Sequence, residues 1–329
     1  MKIVKIGHHC CVRLQKEAIA LSKRHDIHLL GHRIPNTVDC FKTISYWKTV
    51  EQLIEEVKQH KDADVFHIHN EPNWMVFAVK EALPKKKIIL DIHDSMLLRT
   101  RDWWNQRTEE RAAYEMVDGV VYVNEVCKKI INLKKPSACL PSYVNERDMQ
   151  YQPWERVGGV VYEGLVQPAD GKKVMQYGNY INTCKAFYDS HIPFHIYSPK
   201  MNDEKTYNTY KDICFVEKAI HFKKLLIYLG MYDWGLVGNI DKHKEWAVAS
   251  PNKLFEYMAA GIPIVAINAK WCEKFVKKYK VGIVVKSAEE LRERWDERKE
   301  CQEKVLLNRR NFTMEKHIKA VEKLYEQVI

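Results

Sequence analysis

The stretch SPNKLFEYMAAGIPIVA, residues 250–266, sets a hydroxyl, a proline, an amide, a lysine and a lone carboxylate close together ahead of an apolar run. Ser250 is a favoured N-cap residue, Pro251 suits the first helical position, and Gly261 followed by Pro263 gives a stop, so the spacing predicts a helix over 251–260. Free backbone N–H groups at Asn252 and Lys253, the positive end of the helix dipole and the Lys253 ammonium would together suit a phosphate. Glu256 follows on the same helical face, and its side chain leans back toward the N-terminus. A carboxylate one turn from an anion site can accept hydrogen bonds from both vicinal hydroxyls of a ribose. These residues read as a nucleotide grip or, alternatively, as ordinary capping with Leu254, Phe255 and Met258 in a core.

A helix N-terminus grips a ligand where a sheet presents it, and the rest of the chain supplies the sheets. At 329 residues the sequence is too long for one ordinary core and suits two domains of roughly 150 residues. In the first half apolar runs at 2–7, 26–31, 64–69, 87–93, 119–124 and 138–144 alternate with helical stretches such as 12–24 and 73–83. That alternation is what a parallel sheet with crossover helices requires. The pattern pauses at 145–159, which is polar, carries a proline and ends in two glycines, as a linker does. It restarts with runs at 160–166, 194–198, 213–217, 234–239, 263–268 and 281–287. The run 234–239 precedes the 251–260 helix, which places that helix at the carboxyl edge of the second sheet, where open α/β sheets hold ligands. The tail from Ala288 to Ile329 is charged and reads as helical throughout, with Leu291, Trp295, Val305, Leu306, Val321, Leu324 and Tyr325 available for an apolar stripe.

Hydrophobic residues at 46% and charged residues at 29%, spread rather than blocked, exclude a disordered chain. The net charge of +10 favours acidic partners: nucleotide phosphates, anionic lipid headgroups or nucleic acid. No run reaches the ~18 apolar residues of a membrane span. The start, MKIVKIGHHCC, lacks an apolar signal core and reads as a first strand, which predicts a cytoplasmic protein. Nine scattered cysteines without a C-x-x-C pair fit reduced thiols. His8, His9, Cys10 and Cys11 are metal-capable types, but consecutive side chains do not converge on one tetrahedral ion. His67 and His69 share a strand face without an evident third ligand and read as core or site-lining residues, so no metal is expected.

The whole phrase from Ser250 to Ala266 resembles the donor-site segment of GT-B glycosyltransferases, in particular family 4-like enzymes that use nucleotide sugars. DVFHIHNEPNW (64–74), IILDIHDS (88–95) and VDGVVYVN (117–124) are similar to the same family, so the resemblance touches both halves. It implies two doubly wound, Rossmann-like α/β domains facing across a cleft. They would span 1–150, on the acceptor side, and 151–310, on the donor side, with a C-terminal helix at 311–329 crossing back to the first domain. It further implies a metal-independent, retaining glycosyltransferase without a cofactor, taking a nucleotide sugar, most simply a UDP-sugar, as co-substrate. Glu256 matches the glutamate that contacts the ribose, Ser250, Asn252 and Lys253 the turn that meets the phosphates, and His93 the histidine near the transferred sugar. The loop after the second domain's first strand contributes Gly164, with Lys172 and Lys173 in the place of the family's Arg and Lys pair. His8, Glu71, Trp74 and Arg99 are candidates for the acceptor or sugar pocket.

Three departures stand beside the resemblance. Val248 occupies the position of the family's other motif glutamate, the loop at 163–173 has no arginine, and GHHCC replaces a glycine-rich first loop. The implied acceptor is a lipid-linked or cell-surface saccharide, with the basic surface drawing the protein to an anionic membrane. A modified base in DNA is a rival acceptor. From a different class, an inactive sugar-binding or nucleotide-binding relative fits the same departures. The segment 97–107, with three arginines and two tryptophans, suits a membrane interface or stacked bases, or else a solvated helix face. A dinucleotide oxidoreductase is disfavoured, since GHHCC lacks the close-approach glycines of G-x-G-x-x-G.

Overall fold

In a computed structural model of the chain, residues 1–33, 35, 37–69, 72–93, 104–149, 155–168 and 178–329 are described, except for the side chains of 104–107, 222 and 223. The chain divides into two compact units, Met1–Asn145 with Met314–Ile329, and Glu146–Thr313.

The first unit is built on a seven-stranded parallel sheet: β1 (Lys2–Gly7), β2 (Asp26–Gly31), β3 (Thr43–Tyr46), β4 (Val65–His69), β5 (Lys87–Ile92), β6 (Gly119–Tyr122) and β7 (Ser137–Cys139), in the order β3-β2-β1-β4-β5-β6-β7. Strand β3 lacks the apolar run expected of a strand because it lies at the sheet edge, with Thr43 and Tyr46 exposed. Side chains alternate between faces along each strand. Val4, Ile6, Phe66, Ile68, Leu90 and Val120 enter an apolar core with the Val50–Gln59 and Trp74–Ala82 helices. The opposite parity carries Lys5, His67, His69 and Asp91, all buried, with Lys5 opposite His67 and His69 opposite Asp91 in the strand register. Over this second face lie the Val12–Leu21 helix and the chain's last helix, Lys319–Val328.

The second unit holds a six-stranded parallel sheet: β8 (Val160–Glu163), β9 (Phe194–Tyr197), β10 (Phe215–Glu217), β11 (Trp234–Gly238), β12 (Ile264–Ile267) and β13 (Gly282–Val284), in the order β10-β9-β8-β11-β12-β13. Each sheet therefore winds outward in both directions from its first strand. The charged tail is not helical throughout: it breaks near Arg294 and again at Phe312–Thr313, and the helices on either side of the second break belong to different units. No helix among the described residues is long and apolar enough to cross a membrane.

Candidate functional site

In the second sheet the winding direction reverses between β8 and β11, and the crevice at the carboxyl ends of such a strand pair is where an open parallel sheet holds a ligand. Gly164 is the first residue past β8, with φ at 140°, a conformation that side-chain-bearing residues rarely adopt. A Cβ there would stand 3.1 Å from Tyr162 Oη and 3.2 Å from Lys253 Nζ. The bare backbone lets the ammonium lie against the turn. Lys253 Nζ also sits 4.9 Å from the Tyr162 ring centroid and 5.4 Å from that of Trp246, whose faces attract a cation. Burial opposes the lysine's charge, but Tyr162 and the carboxylates of Glu163 and Glu256 outweigh it and raise the pKa above the ordinary lysine value.

Lys253 is carried by the helix Asn252–Ala260, which starts one residue later than the spacing predicts. Pro251 is the N-cap, so Ser250 stands one position outside and does not cap the helix, contrary to the expectation. Its Oγ is buried without a hydrogen-bond partner, and the helix has no side-chain cap at all. Leu254, Phe255 and Met258 are core residues, and Tyr257 pins the helix down. A Cβ at Gly235 of β11 would fall 2.3 Å from the Tyr257 ring, so only glycine admits so close an approach. The Tyr257 hydroxyl accepts the Glu163 N–H at 3.1 Å, tying the helix to the end of β8. Glu256 is buried one turn into the helix, and Val248 ends the preceding short helix, Lys244–Val248.

In the first unit His93 follows β5. Its Nε2 lies 3.0 Å from Asp91 Oδ2 and its Nδ1 3.8 Å from Cys11 Sγ. Arg13 donates from Nε to Asp91 Oδ2 at 2.8 Å and from Nη2 to Oδ1 at 3.0 Å, a bidentate clamp. Burial works against charge on His93, yet the Asp91 carboxylate and Cys11 outweigh it and push the pKa up to about 10. Asp91 is held well below the carboxylate range: burial opposes this, and Arg13 and His93 overcome it. His93 is thereby held as an imidazolium at neutral pH.

Deeper on this face, Glu17, His67, His69 and Asp91 bring ligand-type atoms within 4.8 Å of one another, a convergence that His67 and His69 alone did not reveal. The group carries its own cation. Lys5 Nζ donates to Glu17 Oε2 at 2.9 Å and stands 2.8 Å from His69 Nε2 and 3.4 Å from His67 Nδ1. His67 Nδ1 is in turn 2.6 Å from the Tyr325 hydroxyl of the last helix.

Of the pocket candidates, His8 stacks on His32 at 4.5 Å and lies 5.8 Å from Trp47, and Trp74 meets Trp47 edge-on at 5.5 Å, so both join one aromatic group past β1. Of His8, His9, Cys10 and Cys11, the two histidines meet, with His8 Nδ1 3.2 Å from His9 Nε2, while Cys10 Sγ donates to the Arg33 carbonyl and Cys11 turns to His93. Glu71, Arg99, Lys172 and Lys173 lie outside the described residues, as do the side chains of 97–107. Sequence reasoning missed Tyr162 and Trp246 beside Lys253, and Asp91, Arg13 and Cys11 around His93. The one local signal was the D-I-H spacing, which puts Asp91 and His93 on one strand face.

Residues 174–316 match the family described as glucosyltransferase 3-like, C-terminal domain. No curated protein sequence matches the chain. Among solved structures, HepE of Anabaena in complex with UDP-glucose superposes with a TM-score of 0.67 at 10% identity, covering 100% of this chain and 98% of that one. WaaG, a glycosyltransferase involved in lipopolysaccharide biosynthesis, gives 0.64 at 11%, with 100% and 99% covered. AviGT4, a glycosyltransferase involved in avilamycin A biosynthesis, gives 0.66 at 12%, with 100% and 98% covered. The fold is GT-B. In this GT-B chain the Gly164–Lys253 contact and the uncapped helix start fall in the second unit, and the His93 cluster falls in the first.

Proposed function

We propose that the chain is a glycosyltransferase that moves a sugar from a UDP-sugar to a saccharide or lipid-linked acceptor. One observation carries this reading: a charged lysine packed against a bare glycine turn, at a helix start with no side-chain cap and a buried, partnerless Ser250 hydroxyl beside it. A buried hydroxyl left without a partner costs about 1–3 kcal/mol, and a diphosphate at this helix start would satisfy it together with the Asn252 and Lys253 amides. The Lys253 ammonium then offsets the charge that grows on the leaving diphosphate, the work a divalent ion does elsewhere, so transfer proceeds without one. Glu256 accepts from the ribose hydroxyls. The UDP and UDP-glucose complexes of HepE, whose fold this chain shares, support a uridine donor.

His93, held as an imidazolium, has no lone pair with which to take the acceptor's proton. Its two ring N–H groups face Asp91 and Cys11, so its positive charge acts through space on the leaving diphosphate, and the departing phosphate oxygen takes the proton instead. Attack then comes from the face the diphosphate leaves, which retains the anomeric configuration. The net charge of +10 favours an acceptor presented on an anionic membrane.

Isothermal titration with UDP-glucose and UDP tests the donor site. Lys253→Met weakens UDP binding by about 10- to 100-fold, the worth of a charge-assisted hydrogen bond, and Glu256→Gln weakens UDP more than inorganic pyrophosphate. Unchanged affinity in both variants refutes the placement. Cosedimentation with anionic vesicles, against duplex DNA binding with a steep salt slope, separates the acceptor classes.

A further inference from the structure

Cys11 is the N-cap of the Val12–Leu21 helix, and its sulfur accepts the Leu14 N–H at 3.4 Å. On its other side stands His93, 3.8 Å away through Nδ1, and behind the imidazole lies Asp91, 3.0 Å from Nε2 and locked by Arg13. The sequence in space is helix end, thiol, imidazole, buried acid. A helix N-terminus and a neighbouring cationic histidine are the two influences that convert a thiol into a nucleophilic thiolate, and a carboxylate behind the ring keeps that ring charged. Burial opposes ionisation of Cys11, but the charge of His93 and the hydrogen bonds from His93 and the Leu14 amide outweigh it and lower the pKa below that of an ordinary thiol. Other cysteines go the opposite way: burial pushes Cys10 and Cys301 up to about 11, and Cys139 and Cys272 up to about 12. Cys11 is also partly exposed, whereas Cys40, Cys127, Cys184, Cys272 and Cys301 are buried.

We propose that Cys11 is a modification site, a nucleophilic thiolate set between His93 and a helix end, whose substrate is a small organic disulfide. The Cys11 sulfur attacks one sulfur of the disulfide, a new S–S bond forms as the old one breaks, and Cys11 is oxidised. The released half leaves as a thiolate with the bonding electron pair and takes a proton from solvent. The adduct stands against the His93 ring, so modification excludes whatever His93 serves. Only that last consequence rests on the transferase reading.

The probe is glutathione disulfide on the whole protein at pH 7, with adducts mapped by mass spectrometry over time. Cys11 acquires glutathione at least about tenfold faster than Cys10 or the buried cysteines, the gain in thiolate fraction outweighing the lower nucleophilicity, and dithiothreitol reverses it. His93→Gln slows the Cys11 reaction by about tenfold at pH 7, and in the wild type the Cys11 rate levels off at lower pH than the rate at Cys10. Modification no faster than at Cys10, or a Cys11 rate that rises with pH in step with the rate at Cys10, overturns the proposal even if the His93 variant does not fold. The modified protein still binds UDP-glucose but loses transfer, and regains it with dithiothreitol. A protein that takes glutathione on Cys11 yet shows no transfer before or after modification sinks the transferase reading and leaves the thiolate standing.

Discussion

Replacing Lys5 by methionine takes the cation out of a cluster that has no access to solvent. Lys5 and Glu17 are both fully buried, with Nζ 2.9 Å from Oε2, and the same ammonium lies 2.8 Å from His69 Nε2. Removing one partner of a buried pair costs about 3–5 kcal/mol, and among the described residues Glu17 keeps only Arg13, with Nη2 3.3 Å from Oε1, as its remaining cation. At about 2–4 °C per kcal/mol for a domain of this class, melting falls by about 6–20 °C. The pH dependence is more specific. Burial raises the Glu17 pKa and Lys5 opposes it, leaving it at about 7, so removing Lys5 drives it higher still. An unfolded glutamate titrates near 4.3, so up to pH 7 native wild type and native variant alike hold a proton that the unfolded chain has released. Above pH 7 wild-type Glu17 is ionised and its slope ends, while the variant keeps losing about 1.4 kcal/mol per pH unit. The deficit of Lys5→Met is therefore about 2 kcal/mol larger at pH 8.5 than at pH 6.5. Calorimetric melting at the two pH values measures it, and Lys5→Met with Glu17→Leu returns stability to within about 1.5 kcal/mol of wild type. A single-variant deficit below about 1 kcal/mol, or one equal at both pH values, refutes the reasoning.

Gly164→Ala forces a side chain into φ 140° and against Lys253 Nζ, costing about 1–3 kcal/mol of backbone strain and weakening UDP-glucose by about tenfold in titration calorimetry. Unchanged affinity would show that the glycine turn does not line the donor site. Gly235→Ala drives a methyl into the Tyr257 ring and lowers stability by about 1–3 kcal/mol, read by thermal melting with circular dichroism. His93, with its pKa raised from about 6.5 when unfolded to about 10 when folded, contributes stability in full below pH 6.5 and loses it as pH rises through 10. The melting difference between wild type and His93→Gln therefore shrinks across that window. Transfer by the wild type shows no titration near pH 6.5, and a histidine-like step there would place His93 outside Asp91's influence.

The strand runs were legible because apolar and β-branched residues recur with turn residues between them, and the helix at 252–260 was legible to within one residue because Pro251, Gly261 and Pro263 punctuate it. Lys253, Glu256 and Gly164 were nameable as a phosphate and ribose site from the resemblance, and Lys253 from charge at a helix start as well. Ser250 was misjudged because capping depends on which residue takes the extended N-cap conformation, and Pro251, with its fixed φ, takes it. Strand β3 was missed because an edge strand needs no apolar run.

The larger gap was the first unit's polar face. In VRLQKEAIAL nothing local marks the charges at Arg13, Lys16 and Glu17 as interior, yet all three are buried. The partners of Arg13 and Glu17 are distant in sequence: Lys5 of β1 and His69 of β4 meet Glu17, and Asp91 of β5 meets Arg13. Local spacing alone determined which segments are strands and helices and where the helix carrying Lys253 begins to within one residue, because periodicity and capping act within a turn or two. Which polar groups are buried, and that a histidine there is held charged beside a thiol, was decided by tertiary structure, because only long-range pairing sets the solvation and the counter-charges that fix an ionisation state.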